Sequence, residues 1–461
     1  MTRPAPARPP VACRPWLLAT VLLAGCASYH PRPLPEQAGA RQVADLVAPA
    51  PRPWLPAHRF DPSDGLDVTE VATLAVANNP DLRTRRDALG VARAQSFAAG
   101  LLPDPQLDAG IDFPRHGGSD LTNAFNLGLS ADVSSLLLRS TRVAAARQQA
   151  RQVNLDLLWA EWQTVAQARL LFDQVQALRA KQRALDAEQH ALTPLNQQVQ
   201  AALHAGNLTH DQASAGLNAL ADVRQQRADN ALALHQAEAD LHQLLGLSPE
   251  APLQLVGAGY DATPTAAQVD TALAALPQRR PDLLALQAGY AAQEASLREA
   301  IRAQFPAITL GVNTARDTSA VYTNGFTLGI TLPLFDRNRG NIAIATATRE
   351  QLRDDYRSRL LAAHGDIRHL QSDLATLDAR LATLTRHAQR LDDGRRAAEA
   401  AWAHGDLDWP TYLSLRGNAL AADLALVDLR QQRGTDAIAL EALLGNTDLA
   451  PSSDDRKAAT P

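Results

Sequence analysis

The stretch that decides the fold is residues 123–130, NAFNLGLS, which recurs 201 residues later at 324–331 as NGFTLGIT. In both stretches, large apolar residues alternate with small or polar ones. A side-chain period of two predicts a β-strand with one apolar face and one polar face. The sequence therefore predicts the same strand twice in one chain.

Three further matches extend this repeat in the same order along the chain. Residues 79–82 match 280–283, residues 105–111 match 306–312, and residues 244–246 match 443–445. The offset stays between 199 and 201 residues. The chain is therefore predicted to be a tandem duplication of a unit of about 200 residues. Each unit reads as a helix, two strands, a very long helix and a second long helix.

Helical patterns surround the strands in each copy. We expect a first helix over residues 68–100, matched by 267–304 in the second copy. Helical periodicity then runs over residues 139–203, about 100 Å at 1.5 Å per residue. Leucines at heptad spacing predict left-handed coiled-coil seams here and over residues 370–391. The predicted fold class is mainly α with membrane β-strands.

The four strands are predicted at about residues 106–114, 123–131, 307–315 and 324–332. Ordinary half-buried hairpins and outer-membrane strands both fit their alternation. In the membrane interpretation four strands cannot close a barrel, and lipid does not tolerate open edges. Three chains would pool their strands into a twelve-stranded barrel. The polar residues expected to face its lumen are Asp108, Asp112, Asn126, Asn313 and Thr327.

The N-terminal residues have the pattern of an export signal. Arg3, Arg8 and Arg14 precede an apolar run over residues 16–24, and residues 23–26, LAGC, resemble the lipobox of bacterial lipoproteins. We expect removal of residues 1–25 and lipid attachment at Cys26. A chance cysteine after an ordinary signal peptide is the alternative. The other cysteine, Cys13, lies in the signal, so no thiol would remain for metal binding or catalysis.

These patterns divide the remaining chain into five segments. They are a Pro-rich, lipid-anchored segment at 26–65, a first repeat at 66–250, a linker at 251–266, a second repeat at 267–446 and a flexible tail at 447–461.

Both long helices are predicted to end at a short tip, where glycine can stop a helix and asparagine or aspartate can cap the next one. The tip residues are His204, Gly206, Asn207, Asp211, His404, Gly405, Asp406 and Asp408. A ring of tip histidines could sense pH or bind a divalent ion weakly. Solvated tip residues explain the same pattern, and we predict no metal site.

The composition excludes several classes of protein. Hydrophobic residues make up 46% of the chain but aromatic residues only 4%, which is typical of long helices that pack through narrow seams. The net charge of −5 provides no basic excess, so we expect no nucleic-acid partner. No zinc-protease motif, phosphate loop or nucleophile elbow is present. We expect neither an enzyme nor a cofactor.

Two motifs resemble those of the TolC-type outer membrane factor family. Residues 279–283, RRPDL, followed by FPAI at 305–308, resemble a signature of its lipoprotein efflux branch. Residues 334–342, LFDRNRGNI, are similar to a motif of the CzcC-like heavy-metal efflux group. The resemblance implies a homotrimer with a twelve-stranded barrel on a helical periplasmic tunnel.

The resemblance also implies partners and a location. The helix tips would meet a periplasmic adaptor, and an inner-membrane pump, often of the RND class, would supply the energy for export through a passive duct. The protein would sit in the outer membrane, in contact with its lipid. Two other functions stay open: a duct of the same fold for type I protein secretion, and a lipid-anchored coiled-coil scaffold without a channel. Only the motif at 334–342 favours metal ions as cargo.

Overall fold

The computed structural model describes residues 29–34, 41–45, 64–115, 120–257, 259 and 263–445. The chain divides into two compact units, residues 1–40 and 41–461. The described residues of the first unit form no helix or strand. Both repeats lie in the second unit. Cys26, the predicted signal and the predicted tail lie outside the described residues.

The described part of the second unit has the predicted order of helices and strands in each repeat, except that the first predicted helix is two helices. The first repeat contains α1 (Val68–Asn78), α2 (Pro80–Ala99), β1 (Gln106–Asp112), β2 (Ala124–Asp132), α3 (Ser134–His204) and α4 (His210–Leu245). The second contains α5 (Ala266–Arg279), α6 (Pro281–Arg302), β3 (Ala307–Arg316), β4 (Tyr322–Thr331), α7 (Arg339–His404) and α8 (Trp409–Leu444). The predicted class, mainly helical with a small sheet, is confirmed.

The first helix of each repeat is broken in two, so the prediction of one continuous helix was wrong in both copies. The break falls at Asn79 and at Arg280, each followed by proline. A proline disfavours the helical conformation of the residue before it. Asn79 has ψ 126° and Arg280 has ψ 119°, both extended values. The Asn79 side chain accepts a hydrogen bond of 2.9 Å from the Leu82 N–H and so caps α2.

The four strands form one antiparallel sheet in the order β1-β2-β3-β4. The β2–β3 pairing joins the two repeats, with Gly128 opposite Asn313. Strands β1 and β4 are the edges, and neither has a second partner strand among the described residues. One chain therefore provides a sheet with two open edges.

The two long helices are continuous over 71 residues in α3 and 66 residues in α7. These lengths correspond to about 105 Å and 100 Å at 1.5 Å per residue. Pro194 lies inside α3 without ending it. The predicted heptad seam is buried along this helix, as shown by Leu157, Leu171, Leu178, Leu185, Leu192 and Val199.

The apolar core follows the helices as separate clusters. One cluster joins α1, α3 and α4 in the first repeat, and a second joins α5, α6, α7 and α8 in the second repeat. A third lies at the helix tips and contains residues of both repeats. Among the described helices, none has a stretch apolar and long enough to cross a membrane.

Candidate functional site

The strand register brings the five predicted lumen residues onto one face of the sheet. Asp108 lies opposite Gly128, which in turn lies opposite Asn313. Paired residues point to the same side, and alternate residues along a strand share that side. By the same rule Asp112, Asn126 and Thr327 join this polar face. Most of the other residues on this face are small, such as Gly110, Gly128 and Gly311, so the face is polar and carries little side-chain bulk.

The opposite face of the sheet is apolar and exposed. Phe326 and Leu107 are each 68% exposed. An exposed apolar face of this size marks contact with a membrane or a partner. Its large exposed members are Leu107, Ile111, Leu127, Leu129, Leu310, Val312, Tyr322, Phe326, Leu328 and Ile330. The sheet therefore separates a polar side from an apolar side across its whole width.

The helix tips form where the sequence predicts them. Helix α3 ends at His204 and α7 at His404. Gly206 and Gly405 follow with φ of 75° and 80°, a left-handed conformation that glycine adopts without strain. Asp408 caps α8 by accepting a 2.9 Å hydrogen bond from the Thr411 N–H, and this bond lowers the pKa of the Asp408 carboxyl.

The remaining predicted tip residues are exposed and make local contacts. The backbone N–H of Asn207 donates to the Ala202 carbonyl at 2.8 Å, and Asp211 lies in the first turn of α4. His204, His404 and Asp406 are also exposed. Within the described part of the chain, no group of three or more His, Cys, Asp or Glu residues could hold a metal ion.

An aromatic cluster that sequence reasoning missed packs the two tips together. Trp402 and Tyr412 stack with their ring centroids 5.3 Å apart, and Trp409 lies 5.5 Å from Trp402. Trp409 also packs against α4 of the first repeat, where a Cβ at Gly216 would lie 2.6 Å from its ring. The signal in the sequence was the close spacing of tryptophans, because Trp402 and Trp409, two of the six in the chain, fall within eight residues.

A buried ion network joins the same helices and was also missed. Arg416 on α8 donates to both carboxylate oxygens of Glu188 on α3, at 2.6 and 3.1 Å. It also donates to Glu399 on α7 at 2.6 Å and to the Tyr412 hydroxyl at 3.2 Å. Burial lowers the pKa of Arg416, but the Glu188 carboxylate and the Tyr412 hydroxyl outweigh this effect and raise it. A single guanidinium thus links three helices near the tips.

The RRPD motif forms a second buried cluster, between α3, α6 and α7. Arg280 is fully buried and makes two hydrogen bonds to the Asp282 carboxylate, at 2.8 and 3.0 Å. Its guanidinium lies 5.0 Å from the Trp159 ring centroid, and Arg359 donates to Asp282 at 2.7 Å. In this chain the motif therefore joins helices of both repeats.

Residues 272–446, most of the second repeat, match the family Outer membrane efflux protein. Over 469 aligned residues the chain is 26% identical to the pyoverdine export outer membrane protein OpmQ of Pseudomonas aeruginosa, covering 93% of this chain and 96% of that protein. It is 26% identical to the multidrug resistance outer membrane protein MdtQ of Escherichia coli O157:H7, covering 80% of this chain and 83% of that one. The crystal structure of the Campylobacter jejuni outer membrane channel CmeC has a TM-score of 0.70 at 16% identity, over 85% of this chain and 88% of that one.

An open-edged sheet with one polar and one apolar face, joined to helices of about 100 Å, defines the class of outer-membrane channel proteins with long helical tunnels. This chain resembles the TolC-type outer membrane efflux proteins over most of its length, and its second repeat matches their family model. It is a channel component of an efflux system, and its named relatives are export and channel proteins.

Proposed function

We propose that three copies of this chain join their sheets into one twelve-stranded barrel in the outer membrane. The long helices would continue the barrel as a periplasmic tunnel. This duct is passive: an inner-membrane pump of the RND class delivers the substrate through a periplasmic adaptor that meets the helix tips. The observation that carries the proposal is the four-stranded sheet with two open edges and an exposed apolar face.

The edges explain why one copy is not enough. An edge strand in lipid exposes N–H and C=O groups that have no water to bind, at a cost of several kcal/mol for each group. Because each of the three pairings is antiparallel, the two edge strands β1 and β4 run in opposite directions. The β4 edge of one copy can therefore pair with the β1 edge of the next in the same antiparallel pattern. Closure by three copies removes every edge.

Cysteine pairs across the proposed seam test this assembly. A cysteine at Asp108 on β1 would be combined in turn with cysteines at Thr323, Gly325, Thr327 and Gly329 on β4, which share the polar face. We expect one pairing to give a disulfide-linked trimer after oxidation. Asp108→Cys alone is the control and should stay unlinked. A protein that stays monomeric with every pair, and that dissolves without detergent once its lipid is removed, would be the coiled-coil scaffold instead.

We also propose that Cys26 carries the lipid anchor at the start of the exported chain. The tetrapeptide at residues 23–26 and the preceding apolar run support this assignment. Cys26→Ser should abolish incorporation of labelled palmitate. If the variant still incorporates palmitate, the anchor is elsewhere.

The cargo is proposed to be small molecules or ions. Two relatives are named for pyoverdine export and for multidrug resistance, and the motif at 334–342 is similar to that of heavy-metal efflux proteins. A deletion strain tested with zinc, cobalt, copper and dyes would identify which class it exports. Loss of a secreted protein without any change in these sensitivities would support the type I secretion duct.

A further inference from the structure

The charged side chains of the four strands are divided between the two faces of the sheet. The strand acids Asp108, Asp112 and Asp132 all lie on the polar face. The one strand cation in the described sheet, Arg316, lies on the apolar face, opposite Phe125 and Tyr322. A cation on an otherwise apolar face requires an explanation, because its desolvation is unfavourable.

The Arg316 guanidinium is held in place by three neighbours. Its Nη2 donates to the Asn123 carbonyl at 2.7 Å. Its central carbon lies 5.8 Å from the Phe125 ring centroid and 5.9 Å from that of Tyr322, within the range of cation–π contact. The two rings touch edge to face at 6.0 Å. The guanidinium thus lies against both aromatic rings, which also contact each other.

These contacts use few of its donors. An arginine side chain carries five N–H groups. The Asn123 carbonyl is the one acceptor that the described residues provide, and the shielded Nε has none. No carboxylate lies on this face of the described strands. The charge of Arg316 is therefore not neutralised by the sheet itself.

The position along the strand places this cation at one rim of the sheet. Arg316 ends β3 and Tyr322 begins β4, so both lie at the hairpin end, away from the helices. Arg115, which is exposed, follows β1 at the same end. In the proposed barrel this rim faces the outer leaflet. An outward arginine is tolerated near a membrane interface, at about 0–1 kcal/mol, and aromatic residues concentrate there.

We propose that Arg316, between Phe125 and Tyr322, binds the phosphate of a phosphorylated glycolipid in the outer leaflet. The guanidinium fork matches two phosphate oxygens, and Arg115 adds positive charge at the same rim. The apolar side chains below it, such as Val312 and Phe326, would contact the acyl chains. This inference rests on the proposed function, because it requires the barrel and its orientation.

Native mass spectrometry of the purified full-length protein in detergent tests the site. Diphosphoryl lipid A, the same lipid without phosphates, and inorganic phosphate are the three probes. We expect retention of the diphosphoryl lipid only, and about tenfold weaker binding in Arg316→Gln, the size of one lost charge-assisted contact. Arg316→Lys keeps the charge but loses the fork, so its affinity should fall between the two.

Arg302→Gln is the matched control, because Arg302 is an exposed arginine at the helical end of the sheet. It should bind lipid A like the wild type. Equal retention of the dephosphorylated lipid, or unchanged binding in Arg316→Gln, would overturn the lipid site.

Conductance in planar bilayers separates this failure from failure of the barrel. A wild-type protein that conducts but does not prefer the diphosphoryl lipid overturns the lipid site alone. A wild-type protein that does not conduct overturns the proposed barrel, and the lipid site with it.

Discussion

Arg416 and Glu188 lie 228 residues apart in sequence, yet their side chains meet in a buried, two-point ion pair with distances of 2.6 and 3.1 Å. The pair joins the long helix of the first repeat to the last helix of the second. Both side chains are more than nine-tenths buried. The helix tips of the two repeats are therefore held together by charge as well as by apolar contact.

Glu188→Gln should loosen this junction. Breaking a buried ion pair leaves Arg416 poorly compensated and costs about 3 kcal/mol. Hydrogen exchange of the amides around Glu188 should report a correspondingly smaller free energy of local opening. Asp186→Asn on the same helix is the control: it breaks an ion pair with Arg227 whose partners are each 47% exposed, and should cost less than about 1 kcal/mol. Equal effects of the two variants would contradict the prediction.

Gly216→Ala should destabilise the tips by overpacking. The new Cβ would lie 2.6 Å from the Trp409 ring, so the indole or the helix must move, at a cost of about 1–3 kcal/mol. Gly417→Ala is the matched control, because this helical glycine has open space around it and alanine favours a helix. The midpoint temperature of thermal unfolding should therefore fall for Gly216→Ala, and stay the same or rise for Gly417→Ala. A rise for both would show that the aromatic cluster is not tightly packed.

The stability of the helical part should depend on pH through Asp173. Burial raises the pKa of this carboxyl to about 6 from its ordinary value of 3.8. Between these values the folded protein binds more protons than the unfolded chain, so stability falls as the pH rises from about 4 to about 6. The full change is up to about 3 kcal/mol.

Asp173→Asn should remove this fall in stability. The urea midpoint of the helical circular dichroism signal, measured between pH 4 and 7, checks it. Asp229→Asn, a change at an exposed position of α4, should keep the wild-type pH dependence. A wild-type midpoint that rises over the same pH range would contradict the assigned direction.

Replacing both Asp108 and Asp112 by asparagine should reduce the cation preference of the pore. Both carboxylates lie on the polar face, which would line the proposed lumen. The reversal potential under a salt gradient should move toward zero. The effect should be larger near 0.1 M salt than near 1 M, because the screening length falls from about 10 Å to about 3 Å. Asn313→Ser on the same face changes no charge and should leave selectivity unaltered.

The strands and their faces were predictable because a period of two is a local property. The alternation around Leu127 and Leu328 fixes which residues share a side, whatever the rest of the chain does. The same holds for the tips, where Gly206 and Gly405 act on their own helices. The register between the strands was not predicted and is seen only in their antiparallel pairing in the structure.

The junction between the repeats was not predictable in the same way. Nothing near Arg416 in the sequence distinguishes it from a solvated helix charge, and its partner Glu188 is on a distant helix. The apolar period also continues through Asn79 and Arg280, so the pattern favoured unbroken helices. The prolines that follow these two residues break the helices, because a proline disfavours the helical conformation of the residue before it.

The Glu188–Arg416 pair also makes the two halves of the chain unequal. At the offset of 199 residues, Glu188 corresponds to His387 and Arg416 to Leu217, and both counterparts are exposed. The duplicated helix pairs are therefore not interchangeable, because this ion pair is present once per chain instead of twice. Three such chains would present six helix hairpins of two alternating kinds. A partner approaching from the periplasm would meet a threefold pattern rather than a sixfold one, with a defined angular registry for docking.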